Sequence, residues 1–231
     1  MRTARNTLTL AVLLLGTSLG VFAQQTVFNV PSGDVLDRGK VYGELDIAYQ
    51  HSTDIAAFTP RIVIGAGHGI EVGVNINGIS AGVDPQTTLT PTMKWKAYDG
   101  HKNGWAFLLG DEVFVPIQNR TYNVGNYAYA EITKSVTSST RATFGAYWFT
   151  PNVVASGSKT GGQFAIEQTL SKRVAVAADW YTGNQALGYF TPGVIVKVTS
   201  HLSWYGSYQI GNHNVTNGNH QFLTELGWNF N

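Results

Sequence analysis

The sequence predicts an all-β protein, a closed antiparallel up-and-down transmembrane barrel of about twelve strands. Three observations carry that prediction. Residues 40–50, KVYGELDIAYQ, split by parity into an apolar set (Val41, Gly43, Leu45, Ile47, Tyr49) and a set carrying Glu44, Asp46 and Gln50. Successive strand side chains point to opposite faces, so this is a strand with one oily and one wet face. Its length matches the roughly 9–11 residues of a tilted membrane-crossing strand. The second observation is composition. Charged residues make up 13%, aromatics 12%, and there are 26 glycines, yet no run after residue 23 reaches the length of a spanning helix. Soluble domains carry about 25% charged residues. The third is an export signal at the N-terminus. An exported chain, poor in charge and without spanning helices, satisfies its backbone in a bilayer only by closing a sheet.

Residues 1–23 have the signal-peptide pattern: Arg2 and Arg5, an apolar run from Leu8 to Leu19, then Val21 and Ala23 as small residues before Gln24. The apolar run is too short for a membrane anchor, which needs about 20 residues. Cysteine is absent, which excludes disulfides, thiolate metal sites and a lipid-modified N-terminal cysteine. A net charge of +1 gives no case for nucleic acid as a partner. Residues 24–39 carry turn signals at Pro31-Ser32-Gly33 and Asp37-Arg38-Gly39. They read as a periplasmic lead-in or as a peptide tucked into the barrel mouth. Residues 40–231 form the barrel.

The strands follow in order. The first is 40–50. The second, 58–66, sets Phe58, Pro60, Ile62 and Ile64 against Thr59, Arg61 and Val63. The third, 69–78, alternates Ile70, Val72, Val74 and Ile76 with Glu71, Gly73, Asn75 and Asn77. The fourth, 88–98, opposes Leu89, Pro91, Met93 and Trp95 to Thr90, Thr92, Lys94 and Lys96. The fifth, 104–115, places Asp111 on the face of Trp105, Phe107 and Leu109, and a bulge at Gly110 is expected to restore the alternation. The sixth, 121–134, opposes Ala128, Ala130 and Ile132 to Tyr127, Tyr129 and Glu131; the seventh, 140–149, opposes Ala142, Phe144, Ala146 and Trp148 to Arg141, Thr143 and Tyr147. The eighth, 162–170, sets Phe164, Ile166 and Leu170 against Ala165 and Glu167. The ninth, 173–182, sets Val174, Val176, Ala178 and Trp180 against Asp179 and Tyr181. The tenth, 189–199, alternates Val194, Val196 and Val198 with Ile195 and Lys197. The eleventh, 201–211, opposes Leu202, Trp204 and Tyr208 to Ser203, Tyr205 and Gln209; the twelfth, 220–230, opposes Phe222, Leu226, Trp228 and Phe230 to Leu223 and Glu225.

The connections alternate. Short turns fall near Gly67, His101, Ser138, Lys172 and Ser200, and mostly longer loops near Thr53, Val83, Asn119, Ser156, Gln185 and Thr216. Arg141 and Trp148 are spaced like Arg173 and Trp180, seven residues apart. Seven residues of a tilted strand climb roughly 18 Å, which puts both tryptophans near one rim of the apolar band. Trp148, Trp180, Trp204, Trp228 and Phe230 are the expected aromatic girdle.

With its alternation, its aromatic placement and its WNFN end, the chain resembles the bacterial outer-membrane β-barrel proteins in the broad porin-like sense. The resemblance covers 40–230 and the signal peptide, without a motif that names a subfamily. It implies a place in the outer membrane with both termini periplasmic, and outer-membrane lipid and the barrel-assembly machinery as partners. In that class the last residue is commonly aromatic; here Phe230 is penultimate.

The wet faces carry Glu44, Asp46, Glu71, Glu131, Glu167, Asp179 and Glu225, against Arg61, Lys94, Lys96, Arg141 and Lys197. In a barrel these face the lumen, because Lys or Arg on the lipid face costs about 2–4 kcal/mol at the midplane. They point to a narrow, mildly acidic channel for small polar solutes or ions; Glu44 and Asp46 of the first strand face the same lumen as Glu225 of the last across the closure, an acidic cluster that would bias the pore towards cations or hold Lys and Arg from opposite strands. The alternatives are a plugged structural or adhesive barrel acting through its loops, and a barrel-embedded lipid-modifying enzyme. No catalytic motif is present and no cofactor is implied. Barrel closure brings His51 and His220 together with the loop carrying His213, a candidate metal site without ligand spacing.

Overall fold

The computed structural model describes residues 25–81, 87–118, 123–212 and 220–230. The predicted signal peptide lies outside them. The described residues form thirteen strands: β1 (Val41–Gln50), β2 (Ile55–Gly67), β3 (Ile70–Asn77), β4 (Ile79–Ala81), β5 (Thr88–Asp99), β6 (Trp105–Pro116), β7 (Gly125–Ser135), β8 (Thr140–Phe149), β9 (Thr160–Thr169), β10 (Val174–Tyr181), β11 (Tyr189–Lys197), β12 (Leu202–Gly211) and β13 (Gln221–Asn229). Leaving aside the short β4, each pairs antiparallel with the next in the chain, and β1 pairs with both β2 and β13. The closing ladder runs from Tyr42 opposite Asn229 to Tyr49 opposite Phe222. The sheet is therefore a closed twelve-strand barrel with one short extra strand, β4.

β4 continues β3 past a kink. Gly78 has φ +76°, a left-handed conformation that glycine adopts without a Cβ penalty. Beyond it Ile79 pairs with Phe58 of β2 and Ala81 with Ala56. β2 accordingly starts at Ile55, earlier than expected, and the β1–β2 connection is only residues 51–54. The other long and short connections alternate as the sequence predicts.

The bulge expected at Gly110 is not there. β6 and β7 pair without a shift through Gly110, and the irregularity lies across the ladder in β5, between Lys96 and Tyr98. Gly110 serves packing instead. A Cβ there would sit 2.0 Å from the Tyr129 ring, so the glycine leaves space for that phenol. Without a bulge, Asp111 stays on the outer face. It is satisfied there by Asn126, whose Nδ2 donates to Oδ1 at 2.7 Å.

Apolar side chains cover the outside. Ile62, Ile64, Met93, Ile132, Phe144, Ile166, Phe222 and Leu226 are all exposed. A monomer in water does not tolerate so continuous an apolar surface. A bilayer does, and a barrel with such a band crosses it on its strands. No helix among the described residues is long and apolar enough to cross a membrane.

The inside is filled, and much of the filling is residues 25–36. Val27, Phe28 and Val30 are at 0–1% exposure and cluster with Tyr205, Leu223, Ala165 and Ala177 of the wall. The segment folds as a tight turn: the Val27 amide donates to the Val30 carbonyl at 2.7 Å, and Thr26 bridges Pro31. The wall makes room for it. A Cβ at Gly193 would come within 2.5 Å of the Phe28 ring, and one at Gly65 within 2.0 Å of the Asp37 carbonyl.

Candidate functional site in the barrel interior

The interior wall is polar because every second residue of every strand points at it. Glu44, Asp46, Glu71, Lys94, Glu131, Asp179 and Glu225 are buried there; Arg61, Lys96, Arg141, Glu167 and Lys197 are partly buried. Glu112 of β6, opposite Thr92, belongs to the same wall. The sequence alone does not show it, because the bulge expected at Gly110 breaks the parity of that strand. Carboxylates thus outnumber cations inside.

On the side formed by β8 to β11, the charges hold the N-terminal segment. Asp179 Oδ2 accepts the backbone amides of Phe28, Asn29 and Val30 at 2.9, 2.5 and 2.8 Å. Successive amides converging on one carboxylate form an anion-binding nest. The Asn29 side chain adds bonds to Asp179 Oδ1 at 3.2 Å and Thr191 Oγ1 at 2.8 Å, and accepts from Gln209 at 2.5 Å. Arg141 bridges Asp34 of the segment, at 2.7 Å to both oxygens, and Glu167 of the neighbouring strand, at 2.7 and 2.8 Å. Across the barrel Lys94 pairs with Glu71 at 3.0 Å and donates to the carbonyls of Gln25 and Ser32. The other Glu71 oxygen takes the Leu36 amide at 3.0 Å.

At the seam where the first and last strands meet, the balance differs. Asp46 stands directly opposite Glu225 on the closing ladder, and Glu44 opposite Arg61 on the next one. Arg61 hydrogen-bonds Asp46 and lies 3.7 Å from Glu44, whose other oxygen accepts the Tyr42 hydroxyl at 2.5 Å. Gly227 leaves the space that Tyr42 fills; a Cβ there would be 2.0 Å from its hydroxyl. Glu225 is fully buried, and neither of its oxygens accepts a hydrogen bond from the described residues.

Towards the loop ends, Tyr127, Tyr129, Tyr147, Phe149 and Tyr181 stack inside the wall at centroid distances of 4.9–6.4 Å. The hydroxyls of Tyr127 and Tyr181 bond each other, and Tyr127 reaches Gln163 at 2.9 Å. Gln163 in turn donates to Glu131 at 2.6 Å. At the short-turn mouth, Lys96 lines a cavity of about 400 Å³ with Leu36, Arg38, His68, Asp99 and His101.

The five girdle candidates Trp148, Trp180, Trp204, Trp228 and Phe230 all point outward and are exposed. Trp148 and Trp180 lie at the loop ends of β8 and β10; Trp204 and Trp228 lie at the short-turn ends of β12 and β13. Of the histidines, His51 sits in the exposed β1–β2 turn, and His213 lies outside the described residues. The Nδ1 of His220 accepts the Gly211 amide at 3.1 Å and is thereby occupied. Among the described residues, the carboxylates brought together within metal-binding distance are instead Glu44, Asp46 and Glu225.

An apolar outer band, a polar inner wall and twelve antiparallel strands define a transmembrane β-barrel of porin-like fold. The same fold is found in solved outer-membrane channels. The NanC porin superposes with a TM-score of 0.61 at 8% identity, over 82% of this chain and 99% of that one. The KdgM porin, in a complex with disordered oligogalacturonate, superposes at 0.59 and 9% identity, over 83% and 99%. The COG4313 outer-membrane channel of Pseudomonas putida F1 superposes at 0.54 and 12% identity, over 87% and 100%. No protein-family profile matches the sequence, and no curated protein sequence matches it.

Proposed function

We propose that this protein is an outer-membrane channel for small polar solutes or ions, with residues 25–36 seated in its path. The carrying observation is a polar, predominantly acidic wall inside an apolar exterior. A surplus of lumen carboxylates favours cations and neutral polar solutes and disfavours anions. That preference differs from what the KdgM complex holds, since oligogalacturonate is a chain of sugar carboxylates. A twelve-strand barrel is wider than the eight-strand barrels that side chains alone can fill. Room for solute therefore depends on where the N-terminal segment lies. An even strand count and short turns at one end support two periplasmic termini, with Phe230 presented at the end that the assembly machinery reads.

Planar-bilayer recordings with ion substitution test this reading. The mature chain and a variant lacking residues 25–36 are compared in a salt gradient. The expected result is cation-selective conductance, larger in the deletion. Anion selectivity would overturn the solute class. The same occupied interior favours a second reading, a permanently plugged barrel acting through its loops, and silence from both proteins would support it.

A further inference from the structure

We propose that the closure seam binds a hard divalent cation, calcium by its coordination chemistry, between Glu44, Asp46 and Glu225. One carboxylate oxygen from each of these residues lies within 4.8 Å of the other two, and all three side chains are buried. Two oxygens on opposite sides of one calcium ion, each about 2.4 Å from it, are separated by about that distance. The independent observation is Glu225. It is fully buried on the interior wall and aimed at the other two, yet neither oxygen has a hydrogen-bond partner among the described residues. Glu44 Oε1 and Asp46 Oδ1 also accept no hydrogen bond. The remaining oxygens are used, by Tyr42 on Glu44 and by Arg61 on Asp46.

Buried carboxylates are ordinarily paired or bound to metal. Arg61 pairs with Glu44 and Asp46 but not with Glu225; with all three carboxylates ionised against that one guanidinium, two negative charges remain for a divalent ion to neutralise. Two other wall cations are committed elsewhere, Lys94 to Glu71 at 3.0 Å and Arg141 to Asp34 and Glu167 at 2.7 Å. An all-oxygen donor set selects a hard cation. Magnesium keeps several of its waters and demands a near-octahedral shell, whereas calcium accepts irregular all-protein oxygen sets. The ion would bridge β1 to β13, fastening the first strand to the last. The readout is bound metal, not current, so the inference stands or falls separately from conduction.

The test uses the mature protein refolded into detergent micelles with calcium or with chelator, then dialysed and assayed for bound metal and for the rate of heat-induced unfolding in SDS. The expected result is one tightly held calcium per barrel and slower unfolding than after refolding in chelator. Glu225→Gln and Asp46→Asn should each weaken binding by roughly tenfold or more, because calcium affinity follows ligand charge. Asp99→Asn, at the short-turn end of β5, should bind as wild type. If one seam variant does not fold, the other and the wild-type chelator comparison still decide. The inference is overturned if wild type retains no calcium, or if both seam variants retain it unchanged. A faster-folding, more stable Glu225→Gln without any calcium response in wild type would mean that the carboxylates share protons instead.

Discussion

The two sides of the barrel interior treat buried charge in opposite ways. On the β8–β11 side, Asp179 and Arg141 are saturated by the N-terminal segment: three amides on one carboxylate, two carboxylates on one guanidinium. At the β1–β13 seam, neither carboxylate oxygen of Glu225 accepts a hydrogen bond among the described residues. Saturated charge holds structure in place; unsaturated charge marks a place where something else belongs. The first side explains how a peptide with polar backbone is retained inside a membrane barrel. The second explains why a metal is to be sought at the closure.

The sharpest way to break the contrast is Asp179→Ala. It leaves the amides of Phe28, Asn29 and Val30 without their acceptor, and each bond to a charged group is worth about 1.5–3 kcal/mol. Proteolysis within residues 25–36 should become fast, and bilayer conductance should rise several-fold. An unchanged protease pattern would show that Asp179 does not anchor the segment. Arg141→Ala comes next. It abandons Asp34 and Glu167 together, and breaking one partner from a buried pair costs about 3–5 kcal/mol. The expected outcome is a lower heat-modification temperature together with partial release of the segment.

A smaller effect tests the outer surface against both interior sides. Ile166→Arg places a cation on the lipid face near the middle of β9, which should destabilise the barrel by about 2–4 kcal/mol in a reversible urea titration in lipid. A neutral result would mean that this face is not against hydrocarbon. The smallest effect is Asp111→Asn. Its outer-face position keeps a hydrogen bond to Asn126 in either form, so the change should stay under about 1 kcal/mol, within the range of a single neutral bond.

How far the sequence reaches depends on the range of the interaction. Parity identified the twelve barrel strands and the interior placement of residues such as Glu44, Lys94 and Asp179, because alternation is a local property of extended chain. It failed at β6, where Asp111 looked like an error in need of a bulge. The true bulge sits on the partner strand, and the acid is answered by Asn126 on another. It also left residues 24–39 with two placements. Val27, Phe28 and Val30 are visibly apolar, but the wall residues they meet lie some 150 positions away in the chain, as the Asp179 bonds illustrate.

The sequence by itself determined the barrel: strand period, the even number of crossings and the two-faced wall, all written in neighbouring residues. Tertiary structure decided what the inside contains. Closing the barrel already put Glu225 with Glu44 and Asp46 on one face; the folded structure set the register that stands it directly opposite Asp46 with its oxygens unpaired among the described residues, and only the folded interior brings three early amides to Asp179. These contacts join residues far apart in the chain, so no local pattern encodes them; they exist once the cylinder has brought its wall round to meet itself.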